Sequence, residues 1–236
     1  MKTLTKEAQS QISPQQSIEL LKAGNRRFVE NLSFNRNLKE QLAETKGGQH
    51  PFAVIISCMD SRAPVELIFD QGLGDVFSIR IAGNIINDDI LGSAEFGCMV
   101  VGAKAVLVLG HSSCGAIDGA LKKVQLGYLG AVLNKIEFSI PHDDKGFESL
   151  SHAEKMELMT KKNVLHSISE IRNRSAILRD LEADGQITLV GGVFNLESGI
   201  VKFFEGTQTS VATSEKKLSM PLDKGISRET TANIWR

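Results

Sequence analysis

A chain of 236 residues and 25.7 kDa is long enough to bury a full core in one domain. Its 42% hydrophobic and 23% charged content is ordinary for a globular protein, and a net charge of −1 without a long basic run gives no footing for nucleic acid or an anionic membrane surface. No apolar stretch approaches the roughly 20 residues that span a bilayer, and the opening residues Met1 to Ala8 lack the apolar segment of a secretory signal, so a cytoplasmic protein is expected.

Ser13-Pro14-Gln15-Gln16 combines an N-cap, a proline at the first helical position and a glutamine at the capping-box position. Ile18, Leu21, Phe28 and Leu32 follow at helical spacing, which predicts a helix to about Asn31. From Asn25 to Gln49 the chain is polar and rich in Lys, Glu and Gln, and reads as an exposed arm of helix and loop. Residues 1–49 together form an N-terminal helical arm.

Phe52 to Ser57 is a short apolar run suited to a strand buried on both faces, and Cys58 follows it directly. Pro64 to Asp70 predicts a short helix, Val76 to Ile81 a second strand, and Asp88 to Gly102 a helix capped by Asn87. Cys98 lies in an apolar stretch of that helix and reads as a buried core thiol. Ala105 to Gly110 is the third apolar run, with His111 directly after it. A polar helical region from about Ser151 to Leu181 leads to a fourth strand, Gln186 to Phe194, and Ile200 to Phe204 suits an edge strand. From Gly206 the composition turns to Ser, Thr and Lys, so residues 206–236 are expected to be a flexible tail or to lie along a partner. Strands alternating with helices imply right-handed crossovers. The expectation is a single α/β domain with a mainly parallel central sheet of four to five strands flanked by helices.

Three cysteines, an odd number, argue against a disulfide framework. Cys58, His111 and Cys114 instead make a Cys2His donor set, three ligands that leave a fourth position open as catalytic zinc requires. Both halves of the set lie just past the carboxyl ends of strands, where open α/β sheets bind ligands. Gly115 follows Cys114, allowing close backbone approach and leaving an amide N–H near the metal. Zinc with two thiolates and a neutral imidazole is formally neutral, so it acidifies water less than it would with three imidazoles. A carboxylate accepting a hydrogen bond from that water offsets the difference. Asp60 is placed for this, with Arg62 pairing to it bidentately and keeping it ionised. Without the zinc, the Asp60–Arg62 pair would read as a salt bridge at a turn. The same carboxylate could swing onto the metal and close the site, and Arg62 decides between the two states. His50, His142, His152 and His166 lie in polar or loop surroundings and read as solvent-facing.

Cys58-Met59-Asp60-Ser61-Arg62 and His111-Ser112-Ser113-Cys114-Gly115 resemble the paired signature of the β-class carbonic anhydrases, Cys-x-Asp-Ser-Arg and His-x-x-Cys. The likeness runs from about Asn25 to Gly119 and more weakly to Phe204. It implies one Zn2+ per chain on Cys58, His111 and Cys114, with an activated water attacking carbon dioxide to give bicarbonate. It also implies that Asp60 and Arg62 are the family's catalytic dyad, that Gln49 hydrogen-bonds the substrate, and that Gly115 offers its amide to a substrate oxygen. Phe77 and Phe96 fall at pocket positions, Phe96 where a tyrosine is frequent; from the residues alone both would equally be core. Members that close the Asp onto zinc use a Trp three residues before the first Cys and a late Tyr in a bicarbonate site. Here those features are Ile55 and a single early tyrosine, Tyr128, and Arg80 alone does not make the site. The resemblance therefore implies the open, water-bearing subtype, in a homodimer or homotetramer whose N-terminal helices embrace a neighbour, with activity rising toward alkaline pH. Two rivals are a hydrolase of carbon disulfide or carbonyl sulfide on the same scaffold and a catalytically idle zinc-binding assembly protein. The second would leave Asp60, Arg62 and Gln49 without a purpose.

Overall fold

Five strands carry the site: β1 (Ala53–Ser57), β2 (Val76–Arg80), β3 (Ala105–His111), β4 (Thr188–Phe194) and β5 (Val201–Phe203). In the computed structural model, which describes residues 2–141 and 145–204, they form one sheet in the order β2-β1-β3-β4-β5. The first four strands are parallel, and β5 runs antiparallel at the edge. His142 and the expected tail from Gly206 lie outside the described residues.

The helices are α1 (Lys6–Gln11), α2 (Pro14–Val29), α3 (Leu38–Thr45), α4 (Val65–Ile68), α5 (Asp88–Glu95), α6 (Gly115–Leu121), α7 (Leu129–Glu137), α8 (Lys145–Glu148), α9 (His152–Arg174) and α10 (Ala176–Ala183). Every residue of β1 and β3 is buried, because helices cover both faces of the sheet. Val54 and Ile56 of β1 join Val106 and Val108 of β3 in a core under α5, α9 and α10. The alternate residues Ala53, Ile55, Ala105 and Leu107 pack on the other face with Ile18 and Leu21 of α2 and Val65 and Ile68 of α4. Among the described residues, no helix is long and apolar enough to cross a membrane.

Local signals place several boundaries. Ser13 accepts the Gln16 backbone N–H and the Gln16 side chain accepts the Ser13 N–H, the reciprocal box that starts α2 at Pro14. Asn87 caps α5 by accepting the Ile90 N–H at 2.9 Å. The expected helix from Asp88 to Gly102 is α-helical only to Glu95. It continues as a π-helix over Phe96–Val101 where Gly97 meets Val54, and it ends on Gly102 at φ 95.

Three expectations need correction. The polar helical region from Ser151 is two helices, because Ser175 is extended (φ −100, ψ 104). Its hydroxyl accepts the Leu178 N–H at 3.1 Å and donates to Glu95 at 2.7 Å, so it caps α10. The N-terminal arm is not wholly outside the core. Asn25 is buried and bonds Ile68, Gly199 and Val201, and buried Gln41 accepts the Leu73 N–H. Arg27 and Arg36 of the same arm clamp buried Asp70. Finally, His111 is the last residue of β3 and not the first of the turn after it.

Candidate metal centre

Parallel pairing of β1 with β3 sets Ser57 beside Leu109, so Cys58 and His111 leave neighbouring strands at the same end of the sheet. Ser113 adopts φ 55, a left-handed turn that brings Cys114 back to start α6. The donor atoms of Cys58, His111 and Cys114 all lie within 4.8 Å of one another, and all three residues are buried. The two sulfurs are 3.9 Å apart.

The imidazole is oriented by its own backbone. His111 Nδ1 lies 2.9 Å from the Ser112 carbonyl oxygen, which can only accept, so Nδ1 carries the proton. Nε2 is left as a buried lone-pair nitrogen with no hydrogen-bond partner among the described residues. An orphaned acceptor beside two thiols is a costly arrangement unless a cation satisfies it. Two sulfurs and one imidazole nitrogen fit zinc, with one coordination position to spare.

The two thiols perturb one another. The neighbouring Cys114 thiol holds Cys58 down; burial opposes this, while the Gly83 N–H, 3.4 Å from the sulfur, reinforces it. Cys114 is pushed up by Cys58 and by burial. Two sulfurs 3.9 Å apart can face one divalent cation, which binds them as thiolates and releases their protons.

Asp60 follows on the turn after β1. Arg62 donates to its Oδ1 from the backbone N–H at 2.9 Å and from Nε at 3.0 Å, and to Oδ2 from Nη2 at 2.8 Å. Against a smaller effect of burial, these bonds hold the carboxyl well below the usual carboxylate range. Oδ2 stands 3.9 Å from His111 Nε2. The turn is braced by Arg80 of β2, whose Nε donates to the Cys58 carbonyl at 3.2 Å and whose Nη2 donates to the Asp60 carbonyl. The sequence motif relates Arg80 only to a bicarbonate site. The signal for its actual place is register, since it pairs with Ser57 across β1 and β2. Gly83 was not singled out at all.

Gly115 opens α6 directly after Cys114, is exposed, and has none of the described residues within 4 Å of where a Cβ would stand. Gln49 is exposed before the amino end of β1, whereas Cys58 follows its carboxyl end. Five residues at about 3.3 Å each put about 16 Å of strand between them. Phe77 and Phe96 meet with ring centroids 6.2 Å apart and, with Arg80, Asp88 and Asp89, line an open groove along edge strand β2. Phe77 pairs with Val54, toward the amino half of β1. Within one chain, then, Asp60, Arg62 and Gly115 join the cluster, and Gln49, Phe77 and Phe96 do not. Among the described residues, His50, His152 and His166 take no part in a metal-ligand group.

A profile of the family described as carbonic anhydrase matches residues 53–201. Carbonic anhydrase 2 of Mycobacterium tuberculosis is 35% identical over 191 residues, covering 79% of this chain and 91% of its own length. The carbonic anhydrase of Mycolicibacterium smegmatis is 32% identical over 196 residues, covering 80% and 93%. Among solved structures, a tetrameric β-carbonic anhydrase of Sordaria macrospora aligns with a TM-score of 0.65 at 26% identity, covering 71% of this chain and 87% of its own. The β-carbonic anhydrase CafA of Aspergillus fumigatus aligns with a TM-score of 0.66 at 27% identity, covering 78% and 88%. Since the matched span encloses the whole Cys58–His111–Cys114 cluster, the chain belongs to the carbonic anhydrase family, in its zinc-dependent β class.

Proposed function

We propose that the chain catalyses the reversible hydration of carbon dioxide to bicarbonate and a proton, with Cys58 Sγ, His111 Nε2 and Cys114 Sγ holding one Zn2+. The observation that carries this reading is the Asp60 carboxylate, gripped by three Arg62 donors and set 3.9 Å from Nε2 of His111. A structural metal staple needs the ligands and has no use for that carboxylate. Zinc, when bound, would supply a Lewis acid that makes water a nucleophile, increasingly so toward alkaline pH.

The protein's part is to direct that chemistry. Asp60 Oδ2 accepts a hydrogen bond from the attacking water and orients it, and Arg62 keeps the carboxylate ionised and away from the fourth coordination position. Gly115, with open space before it, lets a small neutral substrate approach the backbone amide. Two observations support the open subtype: Ile55 is fully buried, and the Arg80 guanidinium is engaged by the Cys58 and Asp60 carbonyls. Gln49, Phe77 and Phe96 are remote from the cluster in their own chain, and we assign them to a pocket completed across a subunit boundary. The relatives in Sordaria macrospora are described as tetrameric. A homodimer or homotetramer of this chain fits that placement. Three free thiols suit a reducing compartment such as the cytoplasm.

The test is stopped-flow carbon dioxide hydration by protein of known zinc content. Turnover should disappear on chelation and return with zinc. Asp60→Asn should lower it on the order of 10²- to 10⁴-fold, the usual range for a positioned proton acceptor, while zinc content and fold persist. Full turnover in Asp60→Asn would refute the role of Asp60. Hydrolysis of carbonyl sulfide without carbon dioxide hydration would establish the rival substrate instead.

A further inference from the structure

The turn Ala82–Asn84 joins β2 to α5 and meets the cluster where the Gly83 N–H donates to Cys58 Sγ at 3.4 Å. The same turn is tied from its other side to α9. Asn163 Nδ2 donates to the Gly83 carbonyl at 2.8 Å, and Ser167 Oγ donates to the Asn84 carbonyl at 3.0 Å. Asn163 and Ser167 lie one helical turn apart and are 1% and 2% exposed, so neither bond is shared with bulk water. Gly83 and Asn84 both adopt positive φ, 67° and 44°, a conformation that persists only where the surroundings hold it.

The surroundings are specific. A Cβ on Gly83 would stand 2.6 Å from Ile136 Cδ1 of α7 and 3.1 Å from Ala116 Cβ of α6. Two helices close one side of the turn and α9 closes the other. The Gly83 carbonyl and N–H belong to successive peptide planes hinged at its Cα, so α9 holds the plane after the hinge while the N–H of the plane before it meets the sulfur, and the φ of 67 links the two.

We propose that Asn163, assisted by Ser167, is a positioning residue for the zinc site. It aims the Gly83 N–H at Cys58 Sγ and so fixes the direction from which that sulfur meets the metal. Resting on the reading of Cys58 as a zinc ligand, the proposal adds a layer about the site that touches neither metal nor substrate. Such outer partners orient a ligand and offset part of its charge.

Zinc affinity of the full-length protein, measured by competition with a chromophoric chelator, tests this, together with the thiolate-to-metal charge-transfer band of cobalt-substituted protein. Asn163→Ala should weaken zinc binding by about tenfold or more, within the usual range for outer-shell partners, and shift the band. Ile171→Val, fully buried two turns further along α9, should leave both at wild-type values. Unchanged affinity and band in Asn163→Ala, or an equal effect from Ile171→Val, would overturn the proposal. If Asn163→Ala does not fold, Asn163→Asp keeps the shape, removes the Nδ2 donor and is read the same way. Zinc binding that survives Cys58→Ser unweakened would instead overturn the assignment of the ligand itself.

Discussion

Replacing Gly83 by alanine tests the packing of the turn beneath the metal ligands. At φ 67 a side chain is disfavoured by about 1–2 kcal/mol whatever the space around it. The new methyl would also meet Ile136 Cδ1 at 2.6 Å and Ala116 Cβ at 3.1 Å. Ile136 is fully buried, so its methyl cannot swing into solvent, and overpacking of this kind costs about 1–3 kcal/mol. The two effects together remove about 2–5 kcal/mol, a large share of the roughly 5–15 kcal/mol that holds a typical domain folded. Urea denaturation of the zinc-loaded protein measures it, at fixed protein concentration because association adds to apparent stability. The matched control is Gly115→Ala, which has no positive φ and meets nothing within 4 Å, so its stability should change by less than about 0.5 kcal/mol. A loss under about 1 kcal/mol in Gly83→Ala, or an equal loss in both variants, would refute the reasoning.

Asp70→Asn should cost about 3–5 kcal/mol, because Arg27 and Arg36 would lose a buried counter-charge. Burial alone would raise the Asp70 carboxyl, but the Arg36 and Arg27 guanidiniums and the Phe34 N–H outweigh it and leave it lowered. That contribution is thus present above the unfolded aspartate value of about 3.9 and is lost as pH falls through the lower folded value. Urea midpoints from neutral pH to about pH 3 should show a shallower acid slope in Asp70→Asn than in wild type; identical slopes would remove Asp70 from the account. Cys98, pushed up to about 12 by burial, should resist alkylation in the native protein, and Cys98→Ala should still bind one zinc per chain. Mass spectrometry after brief alkylation reads the first, and metal analysis the second. Ser175→Ala removes the cap of α10 and the bond to Glu95, and should cost about 1–2 kcal/mol by denaturation. A neutral result would mean that the break between α9 and α10 is held by packing alone.

What the chain states locally could be read from it directly. Ser13 with Gln16, and Asn87 before Asp88, act on backbone groups within three residues, so their capping was visible before any fold. The apolar runs of β1 and β3 announce burial on both faces, and each ends at a metal ligand, which brought Cys58, His111 and Cys114 to one end of a sheet. Asp60 and Arg62 are two positions apart, so their pairing is a property of one turn. Polar residues that act at long range carry no such signal. Asn25, Gln41, Asn163 and Ser167 look like solvated helix faces until the tertiary structure supplies carbonyls and amides from strands and turns far away in sequence. Ser175, which breaks the polar helix and caps α10 locally, likewise gains a partner from far away, Glu95, 80 residues earlier, which receives its hydroxyl. The positions of Gln49, Phe77 and Phe96 follow from strand register and length, which put them away from the ligands in their own chain. Short-range hydrogen bonding and apolar periodicity wrote the elements and the candidate metal ligands into the sequence; the tertiary structure decided how Cys58 is held, because the register that brings Arg80 to its carbonyl and the packing of α9 against the turn at Gly83 join residues 22 and 80 apart.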